Sequence, residues 1–262
     1  MSAAKSQSKN NKTNVYLTNP FTLGIEGVKL LYNKGRGVFW LALAAGILGL
    51  ITNSVPAPSE ESDTQSLSGQ EAVGVLILIF FVLAALLALF VIVWGMFGYT
   101  SSELTKNKHV KFSDAFKVSY KNFWRIALVI VIMSLRIIGW TLLLIIPGII
   151  MSVRYTLSAV VIFAEPGLSA GQVVTRSAEL TKKAWFDTFA SQTLLSVLSF
   201  GILSSNIQTG VQAILYKQLS ELKKSGSEKP PTHWLSYLCF GILLLIFLFF
   251  AFLISLLAMT IS

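Results

Sequence analysis

The chain has 262 residues, of which 54% are hydrophobic and only 13% are charged. A soluble domain carries roughly 25% charged residues, and the apolar residues here form long continuous runs, so an ordinary soluble protein is excluded. We predict an all-α, polytopic transmembrane helical bundle, and we assign the net charge of +9 to topology and anionic lipid rather than to a nucleic-acid partner.

The N-terminal segment is polar and basic, with six Lys/Arg and one acid in residues 1–37. We interpret residues 1–20 as a disordered tail and residues 21–262 as a single transmembrane domain. No apolar stretch precedes a cleavage site, so the first span is expected to direct insertion. Residues 55–72 hold four acids and no base. The positive-inside rule therefore predicts that this loop faces outward and that the N-terminus is cytoplasmic. The loop is rich in Pro, Ser and acids, which predicts flexibility, and we expect the plasma membrane as the location.

Apolar runs predict about six membrane spans with interfacial amphipathic helices between them. A turn is predicted at residues 136–140, which would place Arg136 at the outer head groups. Pro147 and Gly148 fall inside the fourth span, where a proline removes a backbone hydrogen bond and predicts a kink. The predicted spans are residues 38–54, 73–99, 123–138, 141–164, 185–205 and 234–259.

The segment before the last predicted span conflicts with this topology. Six crossings place residues 217–233 outside, yet they contain four lysines and two acids, contrary to the positive-inside tendency. Either the tendency is overridden here, or the polar stretch at residues 204–206 breaks a re-entrant hairpin. We expect the former.

A basic, aromatic element occurs three times. GVKLLYNK (residues 27–34) aligns with AFKVSYKN (residues 115–122), and a looser copy spans residues 168–185. Helical spacing in the second copy predicts an amphipathic helix in the membrane interface. Such helices either anchor the spans or form a collar that binds head groups or a partner. The predicted anchors are Lys29, Tyr32, Trp40, Lys117, Tyr120, Trp124, Arg176 and Trp185.

Arg154 lies within the fourth predicted span, where an unpaired charge is costly. The functional interpretation is contact with an anion or a lipid phosphate, because the guanidinium fork matches phosphate oxygens. The structural interpretation is an ion pair or snorkelling beside Tyr155. Candidate ion-pair partners are Glu165, Glu179 and Glu103. We mark Arg154, Tyr155 and Glu165 as a candidate lipid, anion or structural charge site.

Enzymatic motifs are weak in this sequence. Residues 167–171 (GLSAG) match the G-x-S-x-G nucleophile elbow, which requires a preceding strand and a nearby histidine. The two histidines, His109 and His233, lie next to predicted interfaces, and Ser169 fits a helix N-cap better. The single Cys239 and the separated histidines do not make a metal site. We therefore expect no enzymatic activity and no cofactor.

Residues 147–185 resemble a broad bacterial and archaeal membrane-protein family that includes the membrane domain attached to some glycerophosphodiester phosphodiesterases. The resemblance implies six helices and an uncharacterised role. The sequence contains no phosphodiesterase domain, so that activity does not carry over. In many relatives a Tyr-x-x-Leu follows the last span, whereas Tyr216 and Leu219 precede a further long span here. The matching positions are Pro147, Gly148, Arg154, Tyr155, Glu165, Leu168, Ser169, Ser177 and Thr181.

These observations predict a non-enzymatic integral membrane protein that organises membrane lipid or a membrane partner through basic cytoplasmic helices. The alternative is a transporter or channel that uses the proline-kinked fourth span with Arg154. Small residues in the first span, such as Ala42 and Gly46, permit close helix packing. That packing could lie within one chain or in a homo-oligomer.

Overall fold

A computed structural model of the chain describes residues 16–54 and 69–261. These residues form eleven α-helices and no strand, which confirms the predicted all-α class. Most of the predicted N-terminal tail (residues 1–15) and of the acidic loop (residues 55–68) lies outside the described residues. The helices are α1 (Pro20–Lys34), α2 (Arg36–Ser54), α3 (Gly69–Thr105), α4 (Phe112–Lys121), α5 (Phe123–Leu143), α6 (Ile145–Tyr155), α7 (Ser158–Ala164), α8 (Ala170–Thr181), α9 (Trp185–Leu198), α10 (Ser204–Ser225) and α11 (Trp234–Ile261).

The long apolar helices identify the chain as a membrane protein. Four helical segments are long and apolar enough to cross a bilayer: Val73–Thr105, Phe123–Leu143, Ile145–Ala164 and Trp234–Leu257. The first predicted span corresponds to a shorter apolar segment, Arg36–Ile51. Large apolar side chains of α3 between Val73 and Phe90 are exposed, as are most of those in α11. Such exposed apolar surfaces are suited to contact with lipid.

The fifth predicted span is wrong. α9 ends at Leu198 after 14 residues, and a helix needs roughly 20 apolar residues to cross a bilayer. Phe200 (φ 51°) and Gly201 (φ 81°) adopt left-handed backbone conformations that end the helix. The Gly201 N–H donates to the Ser196 carbonyl at 2.8 Å. α10 then runs back, so that α9 and α10 form a helical hairpin.

Both ends of this hairpin lie at the same end of the molecule. Lys223 near the end of α10 pairs with Glu179 of α8 at 2.6 Å, and Lys229 pairs with Asp187 in the first turn of α9. Lys223 and Lys229 therefore lie beside Lys182 and Lys183. We expected residues 217–233 to be an exception to the positive-inside tendency. That exception does not arise, because the chain turns back between α8 and residues 217–233 instead of crossing.

Other polar segments join the same end. The Lys34 ammonium donates to the backbone carbonyl of Asn107 in the α3–α4 loop at 2.8 Å, and the Val110 N–H donates to the Lys34 carbonyl at 2.7 Å. Lys229 also lies 5.9 Å from the centre of the Tyr16 ring. We call this region the basic end of the bundle. It comprises residues 16–34, 104–111, 165–187 and 216–233.

The turn between α5 and α6 also differs from the prediction. It lies at Leu144, whose backbone is extended (φ −160°, ψ 140°), and not at residues 136–140. Pro147 is the third residue of α6, where the backbone N–H has no helical partner to lose, so the predicted kink is wrong. The helix is interrupted instead at Thr156 and Leu157, between α6 and α7.

Glycines bring α1 and α2 against the α9–α10 hairpin. A Cβ atom at Gly27 would lie 2.7 Å from the Val211 nitrogen, and one at Gly210 would overlap the Gly27 carbonyl. A Cβ atom at Gly46 would overlap the carbonyl of Ile202, in the turn of the hairpin. Gly46 is thus a contact within the chain. It lies about 15 Å along α2 from Arg36, at 1.5 Å per residue, so the turn reaches roughly the middle of α2.

The crossing of α1 and α10 predicts a large effect of a single methyl group. A Gly210→Ala substitution should lower the free energy of unfolding by about 1–3 kcal/mol, the usual cost of overpacking, because backbone atoms of Gly27 cannot move aside. Thermal melting of the purified protein in detergent measures this. The control is Gly171→Ala in α8, where a Cβ atom meets open space. If the Gly210→Ala and Gly171→Ala proteins had the same melting temperature, the close crossing of α1 and α10 would be contradicted.

The hairpin predicts that residues on both sides of it are accessible from one face of the membrane. Single cysteines at Lys108, Lys182 and Ser227, all exposed in the basic end, are introduced in a Cys239→Ser background. A membrane-impermeant maleimide applied to sealed vesicles of one orientation should label all three or none. Labelling of Lys182→Cys without Ser227→Cys would instead mean that the chain crosses between them.

Candidate functional site

Arg154 lies at the end of α6, half-buried against α8. Its guanidinium donates to the Ala178 carbonyl at 3.4 Å and lies 3.9 Å from the Met151 sulfur. The Nε atom is buried without a hydrogen-bond partner. Within the described residues Arg154 forms no ion pair, although its own backbone carbonyl accepts hydrogen bonds from Ser177 and Thr181 of α8. The side chain is therefore held in place without a counter-ion.

The other two residues of the predicted charge site lie elsewhere. Tyr155 is 5% exposed and packs in the main core, so it is not an interfacial neighbour of Arg154. Glu165 follows α7 and accepts hydrogen bonds from Arg176 Nε at 3.0 Å and from the Tyr216 hydroxyl at 2.9 Å. The sequence left three acidic residues as candidate partners for Arg154. In the structure one of them, Glu165, pairs with Arg176 instead.

The Glu165 cluster ties three helices together. Arg176 lies on α8, Tyr216 on α10 and Glu165 at the end of α7. Arg176 and Glu165 are each about a quarter exposed. At that exposure the ion pair is stronger than a fully solvated one, and removing one partner would leave a poorly solvated charge. We interpret the cluster as structural.

Ser169 caps α8 as predicted. Its hydroxyl accepts the Gln172 N–H at 3.4 Å, and the Gln172 side chain accepts the Ser169 N–H at 2.8 Å, which completes a capping box. The segment before it is helix α7 and a turn, not the strand that a nucleophile elbow requires. Among the described residues, no group of three or more His, Cys, Asp or Glu side chains could hold a metal ion.

The predicted interfacial anchors fall into two groups. Lys29, Tyr32 and Lys117 are exposed, as are Tyr120 and the two tryptophans Trp40 and Trp124. Arg176 and Trp185 are partly buried and bonded within the protein, Arg176 to Glu165 and the Trp185 indole to the Ile150 carbonyl at 3.1 Å. All three copies of the repeated element are helical, as α1, α4 and α8. Their place in the membrane interface stays a prediction.

A cleft opens at the basic end between α8 and α10. We call it the lysine cleft, and its volume is about 730 Å³. Leu180, Leu219 and Leu222 form its apolar wall. Its charged lining consists of four lysines and two glutamates, namely Lys182, Lys183, Lys223, Lys229, Glu179 and Glu228.

Two of these lysines are neutralised and two are not. Lys223 pairs with Glu179 at 2.6 Å, and this hydrogen bond holds the pKa of Glu179 below its usual value. Lys229 is bound to Asp187, a fully buried carboxylate. Lys182 and Lys183 are exposed and form no ion pair with the part of the chain that the structure describes. Glu228 also forms no ion pair among the described residues, so beyond its two pairs the cleft holds two lysines and one glutamate, a small excess of positive charge.

The lysine cleft lies where α11 begins. The aromatic rings of α9 and α11 pack together, since the ring centres of Trp185 and Phe186 each lie within 5.6 Å of the ring centre of Phe240. Trp234, the first residue of α11, is 62% exposed. Tryptophan at the start of an apolar helix is typical of the membrane interface. Sequence reasoning missed the cleft, although the unexpected lysines of residues 217–233 were its signal.

No protein-family model, no curated protein and no solved structure matches the chain. The function is therefore inferred from the geometry of the basic end.

The Tyr216 hydroxyl predicts a measurable loss of stability when it is removed. A Tyr216→Phe substitution should lower the free energy of unfolding by about 1.5–3 kcal/mol, the usual value for a hydrogen bond to a charged group. Tyr216 is buried and its hydroxyl donates to Glu165. The matched control is Tyr120→Phe, since the Tyr120 side chain is 67% exposed. Equal melting temperatures of the two variants would show that the Glu165 cluster does not hold these helices together.

Proposed function

We propose that this chain is a non-enzymatic integral membrane protein that binds anionic phospholipid head groups in the lysine cleft and so organises lipid around the bundle. The observation that supports this is the pair of exposed lysines, Lys182 and Lys183, which form no ion pair within residues 16–54 and 69–261 and line a cleft beside the start of α11. A head-group phosphate and a basic cleft at the membrane interface are complementary in charge and in position.

The lining of the cleft fits one end of a phospholipid. Lysine ammonium groups are strongly hydrated point charges that attract phosphate without fixing its orientation. The leucine wall offers contact to the glycerol backbone and the first methylenes of the acyl chains. Each lysine near an anionic surface contributes about 1 kcal/mol to binding. Such binding is electrostatic, so it should weaken as the salt concentration rises.

The charge distribution also supports a membrane and an orientation. Basic residues gather at one end, and the acidic residues 55–72 separate α2 from the body of α3. The positive-inside rule then puts the basic end, together with the N-terminus, in the cytoplasm. The plasma membrane fits, since its cytoplasmic leaflet carries anionic lipids. A membrane-protein partner or a second copy of the chain remains compatible with the exposed faces of α3 and α11.

A transporter or channel is the second candidate. It is favoured by amide and hydroxyl groups inside the bundle, where Thr156 donates to Gln192 at 3.0 Å and accepts from Gln212 at 3.5 Å. Polar groups within a membrane domain often line substrate paths. Pro147 no longer supports this candidate, because it lies in the first turn of α6 and does not break a span.

The lysine cleft predicts which lysines matter for lipid binding. Replacing Lys182 and Lys183 together by alanine should weaken binding of phosphatidylglycerol by roughly tenfold or more, given about 1 kcal/mol per lysine. Isothermal titration calorimetry measures the effect, with phosphatidylglycerol in mixed micelles added to the detergent-solubilised protein at low salt. The matched control replaces Lys117 and Lys121, two exposed lysines of α4. An equal loss in both double variants would show that only total charge matters, and no loss in either would overturn the proposal.

A further inference from the structure

Two arginines from different helices contact the same side of α8. Arg136 of α5 donates to the Thr175 hydroxyl at 3.2 Å, and Arg154 of α6 donates to the Ala178 carbonyl at 3.4 Å. Thr175 and Ala178 are three residues apart, so they are neighbours on one helical face, about 5–6 Å from each other. The two guanidinium groups are thus brought to adjacent turns of the same helix.

The α5–α6 hairpin brings the arginines to the same level. A Cβ atom at Gly148 would overlap the Thr141 side chain, which places these two residues opposite each other. Counting the same number of residues back along α5 and forward along α6 places Arg136 opposite Val153, next to Arg154. The register of the hairpin and the contacts with α8 therefore agree on the proximity of the two side chains.

This pair of cations has no counter-ion among the described residues. Neither arginine forms an ion pair there, and the nearest carboxylate along the same side of α8, Glu179, is already bound to Lys223 at 2.6 Å and lies 3.9 Å from Arg176. The Arg154 Nε atom is buried without a partner. Arg154 is partly buried, and two like charges held close together are unfavourable unless an anion joins them.

We propose that Arg136 and Arg154 together bind a phosphate group. Planar guanidinium groups recognise phosphate oxygens through paired hydrogen bonds, which a lysine does not provide. The phosphate could belong to a lipid head group or be free in solution. Leu135 and Ile150, which adjoin the site on α5 and α6, are 64% and 39% exposed, so the surface beside the arginines suits an acyl chain. The site adds to the proposed head-group binding but shares no residue with the lysine cleft.

The first arm of the test is native mass spectrometry of the gently purified protein, which counts retained phospholipids. The wild type should retain at least one anionic phospholipid that Arg136→Ala and Arg154→Ala both lose. Arg125→Ala is the matched control, since Arg125 also lies on α5 and donates to a carbonyl before α8, that of Leu168 at 2.9 Å. The variant with Lys182 and Lys183 replaced should also keep this lipid, which separates the arginine site from the lysine cleft.

The second arm identifies a free phosphate. Delipidated wild-type protein is titrated with inorganic phosphate against matched concentrations of sodium chloride, and its melting temperature is followed. A saturable rise that both arginine variants lack, without retained lipid in the first arm, identifies free phosphate as the ligand. The variants Arg136→Lys and Arg154→Lys keep the charge but lose the fork, and they should weaken binding at least tenfold while melting like the wild type without ligand. Lipid retention and phosphate response unchanged in all four variants would overturn the site.

Discussion

The close approach of Gly27 and Gly210 is the contact on which the arrangement of the basic end depends. With any larger side chain at these positions, α1 could not lie against α10, because backbone would meet a Cβ atom. A second glycine, Gly46, admits the turn of the α9–α10 hairpin at Ile202. The hairpin is thereby held beside α1 and α2 and returns to the end from which it starts. Lys223 and Lys229 then lie beside Lys182 and Lys183.

Apolar composition predicted much of the helical framework. The long runs in α3, α5 and α11 are helical where expected, because a backbone in lipid must satisfy its own hydrogen bonds. Local signals also succeeded. Ser169 was expected to cap a helix and does so, and the Gln172 side chain completes a capping box. The helical spacing around residues 115–122 likewise corresponds to α4.

Turns and ion-pair partners could not be predicted from the apolar composition. Hydropathy does not distinguish a crossing helix from a hairpin of similar composition, and only the glycine at Gly201 and the polar residues after it indicated that α9 ends early. The sequence did not identify the residues that contact Arg154, for a different reason. Glu165, Glu179 and Glu103 were all candidate partners on the sequence alone. Only the packing of α8 shows that Glu165 pairs with Arg176, and that Arg136 and Arg154 both contact α8.

The hairpin brings the end of α10 back to α8, and the arrangement of the basic end depends on this return. Crosslinking of a Glu179→Cys, Lys223→Cys variant in native membranes, in a Cys239→Ser background, tests it most directly, because these two side chains form an ion pair at 2.6 Å. A short bifunctional maleimide should join the two cysteines within one chain, while a Glu179→Cys, Lys117→Cys control should stay unlinked. Failure to join them, with both cysteines reactive from opposite sides of the membrane, would contradict the account.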